Sequence, residues 1–93
     1  MIYRNKKMLE AMRDYPCANC GRNDGTVCAA HRNEGKGMGL KVSDALVAPL
    51  CSQCHHELDQ GKHLTKDERR DMWNRAYIKN VQYMIETGRL VLQ

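Results

Sequence analysis

Phenylalanine is absent from this chain of 93 residues, and its large aromatic side chains amount to Trp73 and four tyrosines, Tyr3, Tyr15, Tyr77 and Tyr83. So small a supply of bulky groups makes a thin core for a single domain of this length, and a second source of stability is expected. No run is long and apolar enough to cross a membrane, which leads us to expect a soluble protein. There is no apolar leader segment, internal repeat, linker or low-complexity stretch, so residues 1–93 are expected to form one domain. An acidic excess is missing too. Fifteen Lys and Arg stand against eleven Asp and Glu, a net charge of +4, which favours contact with a polyanion without requiring it.

Cysteine is plentiful instead. Cys17-Ala18-Asn19-Cys20 and Cys51-Ser52-Gln53-Cys54 are two C-x2-C pairs, each able to present two thiolates to one ion from a single tight turn. Together they complete a closed four-sulfur shell, the arrangement of a structural zinc site. Two disulfides are the competing reading, but with no leader segment the chain does not look secreted, and Cys28 would be left over. Structural Zn²⁺ held by Cys17, Cys20, Cys51 and Cys54 is therefore expected, and it supplies the stability that the aromatic-poor core lacks.

The elements are expected in the order helix, metal-bound hairpin, helix, helix. Met8, Leu9 and Met12 have helical spacing within residues 5–14, and Tyr15-Pro16 ends that run. Thr26 to Ala30 reads as a strand with His31 at its end, and Ala45 to Leu50 as the returning strand. Between them, Gly35, Gly37 and Gly39 predict an exposed loop, which no Gly-Lys-Ser/Thr closes as a P-loop would require. Ser52 to Gln60 reads as a helix stopped by Gly61. Thr65-Lys66-Asp67-Glu68 is a capping box opening the longest helix, which Gly88 terminates. Trp73, Tyr77, Val81 and Met84 or Ile85 form its expected core stripe, and Leu90-Val91-Leu92 either adds an edge strand or packs down.

If the four cysteines share one ion, the hairpin with His31 and the helix with His55 and Asp59 lie close in space. Positions four apart on a helix share a face at about 6 Å, so His55 and Asp59 can reach one cation together, as imidazole and carboxylate. Other readings stand beside this one. Cys28-x2-His31 is itself a spacing that tetrahedral sites use, His55 with Asp59 is also a common helix-surface pair, and Cys28 reads as a small buried hydrophobe. His56 lies about 100° around the helix from His55, and both it and His63 read as surface residues.

These residues resemble the HNH, or ββα-metal, endonucleases. The stretches that carry the resemblance are Cys17-x2-Cys20, Val27-Cys28-Ala29-Ala30-His31, Ala45 to Leu50, and Cys51-x2-Cys54-His55-x3-Asp59. More narrowly, Ala30-His31-Arg32, Gly37-x-Gly39-x-Lys41-x2-Asp44 and the block from Cys51 to Asp59 are similar to small prophage-encoded nucleases related to the recombination-associated Ref nuclease. The resemblance implies an α+β fold with a zinc-stapled ββα-metal core between an N-terminal helix and a long C-terminal helix.

It also implies metal-dependent hydrolysis of DNA phosphodiester bonds in phage recombination or DNA processing, in the cytoplasm of a bacterial host. His31 would be the general base, and His55 and Asp59 would hold a catalytic Mg²⁺, Mn²⁺ or Zn²⁺. Arg32, Lys36 and Lys41 would hold the nucleic-acid backbone, and Asp44 would be the polar residue that fixes the loop. DNA, including branched or single-stranded forms, and a recombinase are the partners implied. Many family members carry a third metal ligand immediately before the base, where this chain has Ala30. The alternative function is a non-catalytic zinc module that binds nucleic acid or a protein partner.

Overall fold

The computed structural model describes residues 3–32, 43–60 and 64–90. Helix α1 (Lys6–Ala11) runs into a 3₁₀ turn (Met12–Asp14), strand β1 (Cys28–His31) pairs with β2 (Val47–Leu50), and helices α2 (Ser52–Gln60) and α3 (Lys66–Glu86) follow. Among the described residues the result is an α+β fold with one two-stranded antiparallel sheet and three α-helices. The expected glycine loop between the strands, Gly61, His63 and residues 91–92 lie outside the described residues.

Local chemistry explains the boundaries. Asn5 caps α1 by accepting a hydrogen bond from the Met8 amide at 3.1 Å, which satisfies one of the helix's free N-terminal donors. At α3 the capping box is complete, with Glu68 N–H donating to the Thr65 hydroxyl at 3.1 Å and Thr65 N–H to the Glu68 carboxylate at 3.0 Å. The helix ends where Gly88 takes φ +76°, a conformation that glycine adopts without a Cβ penalty. β1 starts two residues later than the expected Thr26 and takes in His31. Thr26 is occupied elsewhere: its hydroxyl bonds Asp24 and accepts from the Ser52 amide at 3.0 Å, tying the strand approach to the first turn of α2.

The register pairs Cys28 with Leu50, Ala29 with Pro49, Ala30 with Ala48 and His31 with Val47. Alternation along each strand then separates two sets of residues. Ala30, Ala48 and Leu50 face the main core, where they meet Leu58 of α2, Met72, Trp73 and Ala76 of α3, and three of the paired cysteines, Cys17, Cys51 and Cys54. Val47 and Ala29 face a smaller cluster with Met12, Tyr15 and Met84. Pro49 costs the sheet little, since β2 is an edge strand, and its carbonyl still accepts from the Ala18 amide at 2.8 Å. That bond docks the first C-x2-C turn on the sheet.

The core face of α3 differs in part from the expected stripe. Trp73 and Met84 are buried and Tyr77 and Val81 half-buried, but Ile85 is exposed, and Asn80 takes a buried position beside Met84. Asn80 directs its side-chain amide to the Met84 sulfur at 3.4 Å, which is how an amide fits among apolar neighbours. Trp73 is the principal link between α3 and the sheet. Its indole N–H donates to the Ala30 carbonyl at 3.0 Å inside the core, while its ring stacks on Tyr77 at 5.1 Å.

Trp73→Phe removes that buried donor and should cost about 1–3 kcal/mol. Tyr77→Phe loses a more exposed bond to the Ala45 carbonyl and should cost about 1 kcal/mol or less. Urea unfolding of the zinc-loaded variants measures both, and equal losses would refute this role of the indole.

Candidate functional site

The four paired cysteines converge. Their sulfur atoms all lie within 4.8 Å of one another, and the Cys20 and Cys51 sulfurs are 3.7 Å apart. The edge of a tetrahedron around zinc, with Zn–S near 2.3 Å, is about 3.8 Å, so this separation fits one ion between them. Each pair is held by its own turn. In the first, Cys17 N–H donates to the Arg22 carbonyl and Gly21 N–H to the Cys17 carbonyl, both at 2.8 Å, with Gly21 at φ +81°. In the second, His55 N–H donates to the Cys51 carbonyl at 2.9 Å, so Cys51 and Cys54 flank the first turn of α2.

The electrostatics of the sulfurs also suit a cation. Burial pushes the Cys17 thiol up, but the backbone amides of Cys20, Cys51 and Asn19 outweigh it and bring it down to about 7. Burial pushes Cys54 well up, and the other three sulfurs add to this against the Asn19 side chain, which donates to the Cys54 sulfur at 3.3 Å. The Arg22 amide pulls Cys20 down, yet desolvation and the Cys17 and Cys51 sulfurs win, and it too is raised. Four neighbouring thiols cannot all ionise unaided, whereas a shared divalent cation deprotonates them together. The cluster can therefore hold a structural metal such as zinc.

The sequence-predicted polar residues divide into two groups. His31 ends β1 with its Nε2 2.8 Å from Asp44 Oδ1. Asp44 is 3% exposed, although it lies in a turn, and its carboxylate also accepts from the Asn5 amide at 2.8 Å and from Arg4 at 3.1 Å. The hydrogen bond from His31, then that from Asn5, and Arg4 beside it hold its pKa below the usual carboxylate value despite burial. An ionised carboxylate only accepts, so the His31 proton is assigned to Nε2 and the lone pair of the neutral ring to Nδ1. Asp44 thus orients His31 and binds the N-terminal segment in one contact.

His55 and Asp59 pair as the helix spacing predicts, with Nε2 3.1 Å from Asp59 Oδ2. The other ring nitrogen, Nδ1, lies 3.4 Å from the Cys28 sulfur, so strand β1 and helix α2 meet at this point. Cys28 is half-buried, and its polar contact replaces the expected role of a buried hydrophobe. Strand alternation puts Cys28 and Ala30 on the pleat facing α2 and His31 on the other. Among the described residues, the four paired cysteines are the group of three or more ligand atoms that come together; His31, His55 and Asp59 do not form a second.

The remaining predicted positions contribute less to this geometry. Arg32 is half-buried with its Nε shielded from solvent, and its amide donates to the Leu46 carbonyl at 3.0 Å, closing the hairpin beyond His31. Lys36 and Lys41 lie outside the described residues, and His56 is exposed. A cleft between the first C-x2-C turn and α3 is lined by Arg22 and Arg75 but also by Glu57, Glu68 and Asp71. Its mixed charge does not suit a phosphate backbone, and neither His31 nor His55 lines it. The contacts of Arg4 and Asn5 with Asp44 and of Cys28 with His55 were not visible in the sequence, because they span 40, 39 and 27 residues.

Comparison with protein-family models, curated proteins and solved structures finds no match to this chain. The function must be argued from the residues themselves.

Two outcomes are expected of the metal cluster and of Asp44. Purified protein should carry one tetrathiolate-bound zinc, and a strong chelator, or Cys51→Ser, should remove both the metal and much of the helical circular dichroism. For Asp44, the folded pKa lies below the ordinary aspartate value of 3.8, so the unfolded chain binds the proton more readily. Its contribution is complete above that value and is lost as pH falls through the lower folded pKa. The stability gap between wild type and Asp44→Asn should therefore be full near neutrality and narrow below about pH 4, measured as a difference between proteins that share the acid release of metal.

Proposed function

We propose that this chain is a zinc-stapled, metal-dependent endonuclease of the HNH, or ββα-metal, type that hydrolyses DNA phosphodiester bonds. The observation that carries the reading is the His31–Asp44 pair at the hairpin end, an imidazole oriented by a buried, ionised carboxylate. A general base has to be held in one orientation toward the water it deprotonates, and this pair supplies the orientation. The likeness to the small prophage-encoded nucleases adds to it, through Ala30-His31-Arg32 and the block from Cys51 to Asp59.

In this reading His31 Nδ1 takes a proton from water, the resulting hydroxide attacks phosphorus, and the bond to the 3′ oxygen breaks. His55 and Asp59 would hold the working cation from one face of α2. When bound, a divalent cation there would supply charge neutralisation for the phosphate and the leaving oxygen. In many family members a third ligand immediately precedes the base, and consecutive strand residues point to opposite faces. Ala30 and His31 lie on opposite pleats here, so His31 would act on water from one side of the strand end while the residues that would hold the cation stand on the other. Arg32, with Lys36 and Lys41, would hold the DNA backbone. A recombinase delivering branched or single-stranded DNA would be a natural partner.

One observation favours the second reading, a non-catalytic zinc module for nucleic acid or protein. Ala30 supplies no ligand, and among the described residues no second ligand cluster accompanies the four cysteines.

Nicking of supercoiled plasmid by zinc-loaded protein with added Mg²⁺, Mn²⁺ or Zn²⁺ separates the two. His31→Ala and His55→Ala, both retaining zinc and fold, should each lose at least about 100-fold in rate, the usual contribution of general acid–base catalysis. A folded wild type that cuts no form of DNA would instead support the zinc module.

A further inference from the structure

Cys28 lies outside the tetrathiolate shell, yet its surroundings are not those of a passive core residue. It precedes Ala30 by two positions, so the strand returns both side chains to the pleat that faces α2. There its sulfur stands 3.4 Å from Nδ1 of His55. A tetrahedral zinc with sulfur at about 2.3 Å and imidazole nitrogen at about 2.0–2.1 Å separates the two donors by about 3.5 Å. On the far side of the same ring, Asp59 Oδ2 lies 3.1 Å from Nε2. Sulfur, imidazole and carboxylate thus follow one another across a single side chain. In that order the carboxylate accepts a hydrogen bond from Nε2–H, fixes the tautomer and leaves the Nδ1 lone pair on the side of the ring where the sulfur stands, as metal-ligating histidines are commonly held.

We infer that Cys28 Sγ and His55 Nδ1 are ligands of a second, thiophilic metal site, with Asp59 as the positioning residue behind the imidazole. The inference rests on reading His55 as a metal ligand; it puts Cys28 in place of Asp59 as the second ligand, moves Asp59 behind the ring, and names the class of metal. A thiolate and an imidazole select zinc-like ions over magnesium, which prefers oxygen donors. The sulfur comes from the same pleat as Ala30, so strand β1 supplies a donor one turn of the pleat away from the position that has none. Binding replaces the Cys28 thiol proton with the metal and releases that proton to solvent, while water or a phosphate oxygen takes the outward coordination positions.

The test is a Co²⁺ titration of the full chain whose tetrathiolate site is already filled with zinc, read by absorption while zinc retention is measured. Wild type should bind one further Co²⁺ with a thiolate-to-cobalt charge-transfer band. Cys28→Ser and Cys28→Ala, checked for retained zinc and helical circular dichroism, should lose the band. Asp59→Asn should keep it with affinity reduced about 10–100-fold, the usual effect of removing a ligand's hydrogen-bond partner. No further Co²⁺, a further Co²⁺ without the thiolate band, or a band that survives in Cys28→Ser would overturn the inference. Plasmid nicking run in parallel keeps the two proposals apart. Bound Co²⁺ without cleavage refutes the nuclease alone, and cleavage by a protein that takes up no thiolate-bound Co²⁺ refutes the second site alone.

Discussion

Four sulfur atoms within 4.8 Å of one another are an electrostatic constraint as well as a set of ligands. Burial raises Cys54, neighbouring sulfurs raise Cys20, and backbone amides lower Cys17, so the group is divided against itself without a shared positive charge. A cation that resolves this conflict also joins residues 17–20 to residues 51–54, two parts of the chain that no regular element connects. The first turn docks on the Pro49 carbonyl, the second opens α2, and three of the four cysteines belong to the main core. A metal held by these four sulfurs would therefore make ligation and apolar packing one cooperative unit, a source of stability that suits the small aromatic content.

The two-stranded sheet distributes the polar chemistry. With only four residues in each strand, alternation has two side chains to assign to each face, and it assigns them consistently. Cys28 and Ala30 look toward α2 and the main core. Ala29 and His31 look toward α1 and the smaller cluster around Met12 and Tyr15. The consequence is that His31 answers to Asp44 and the N-terminal segment, whereas His55 answers to Cys28 and Asp59. Each imidazole has a carboxylate on one nitrogen, and the two are governed by different parts of the fold. Trp73 links the two halves by grasping the Ala30 carbonyl between them.

Much of this was legible in local patterns. The C-x2-C spacing, the Thr65 capping box, the i, i+4 relation of His55 to Asp59 and the stop at Gly88 each depend on residues a few positions apart, and each has its counterpart in the structure. What local pattern did not show depends on long-range contact. Thr26 leaves the strand because Ser52 needs its hydroxyl, and Asn80 is buried because the Met84 sulfur accepts its amide. The side-chain partners of Asp44 come from two other stretches of chain, Arg4 with Asn5 and His31, and no periodicity encodes such a meeting. Ile85 shows the limit of a helical stripe: it shares the spacing of core residues, but Met84 beside it takes the buried position and Ile85 is exposed.

The contacts of Asp44 have one more effect. Residues 32 and 46 are joined by the Arg32–Leu46 hydrogen bond and residues 31 and 44 by the imidazole–carboxylate bond, so the open end of the hairpin is clasped to itself. The same carboxylate reaches the amide of Asn5 and the side chain of Arg4, which fastens the hairpin end to the entry of α1 as well. A change at position 44 is therefore felt at once by the imidazole, by the start of α1 and by the mouth of the hairpin, and substitutions at these three places will not add independently.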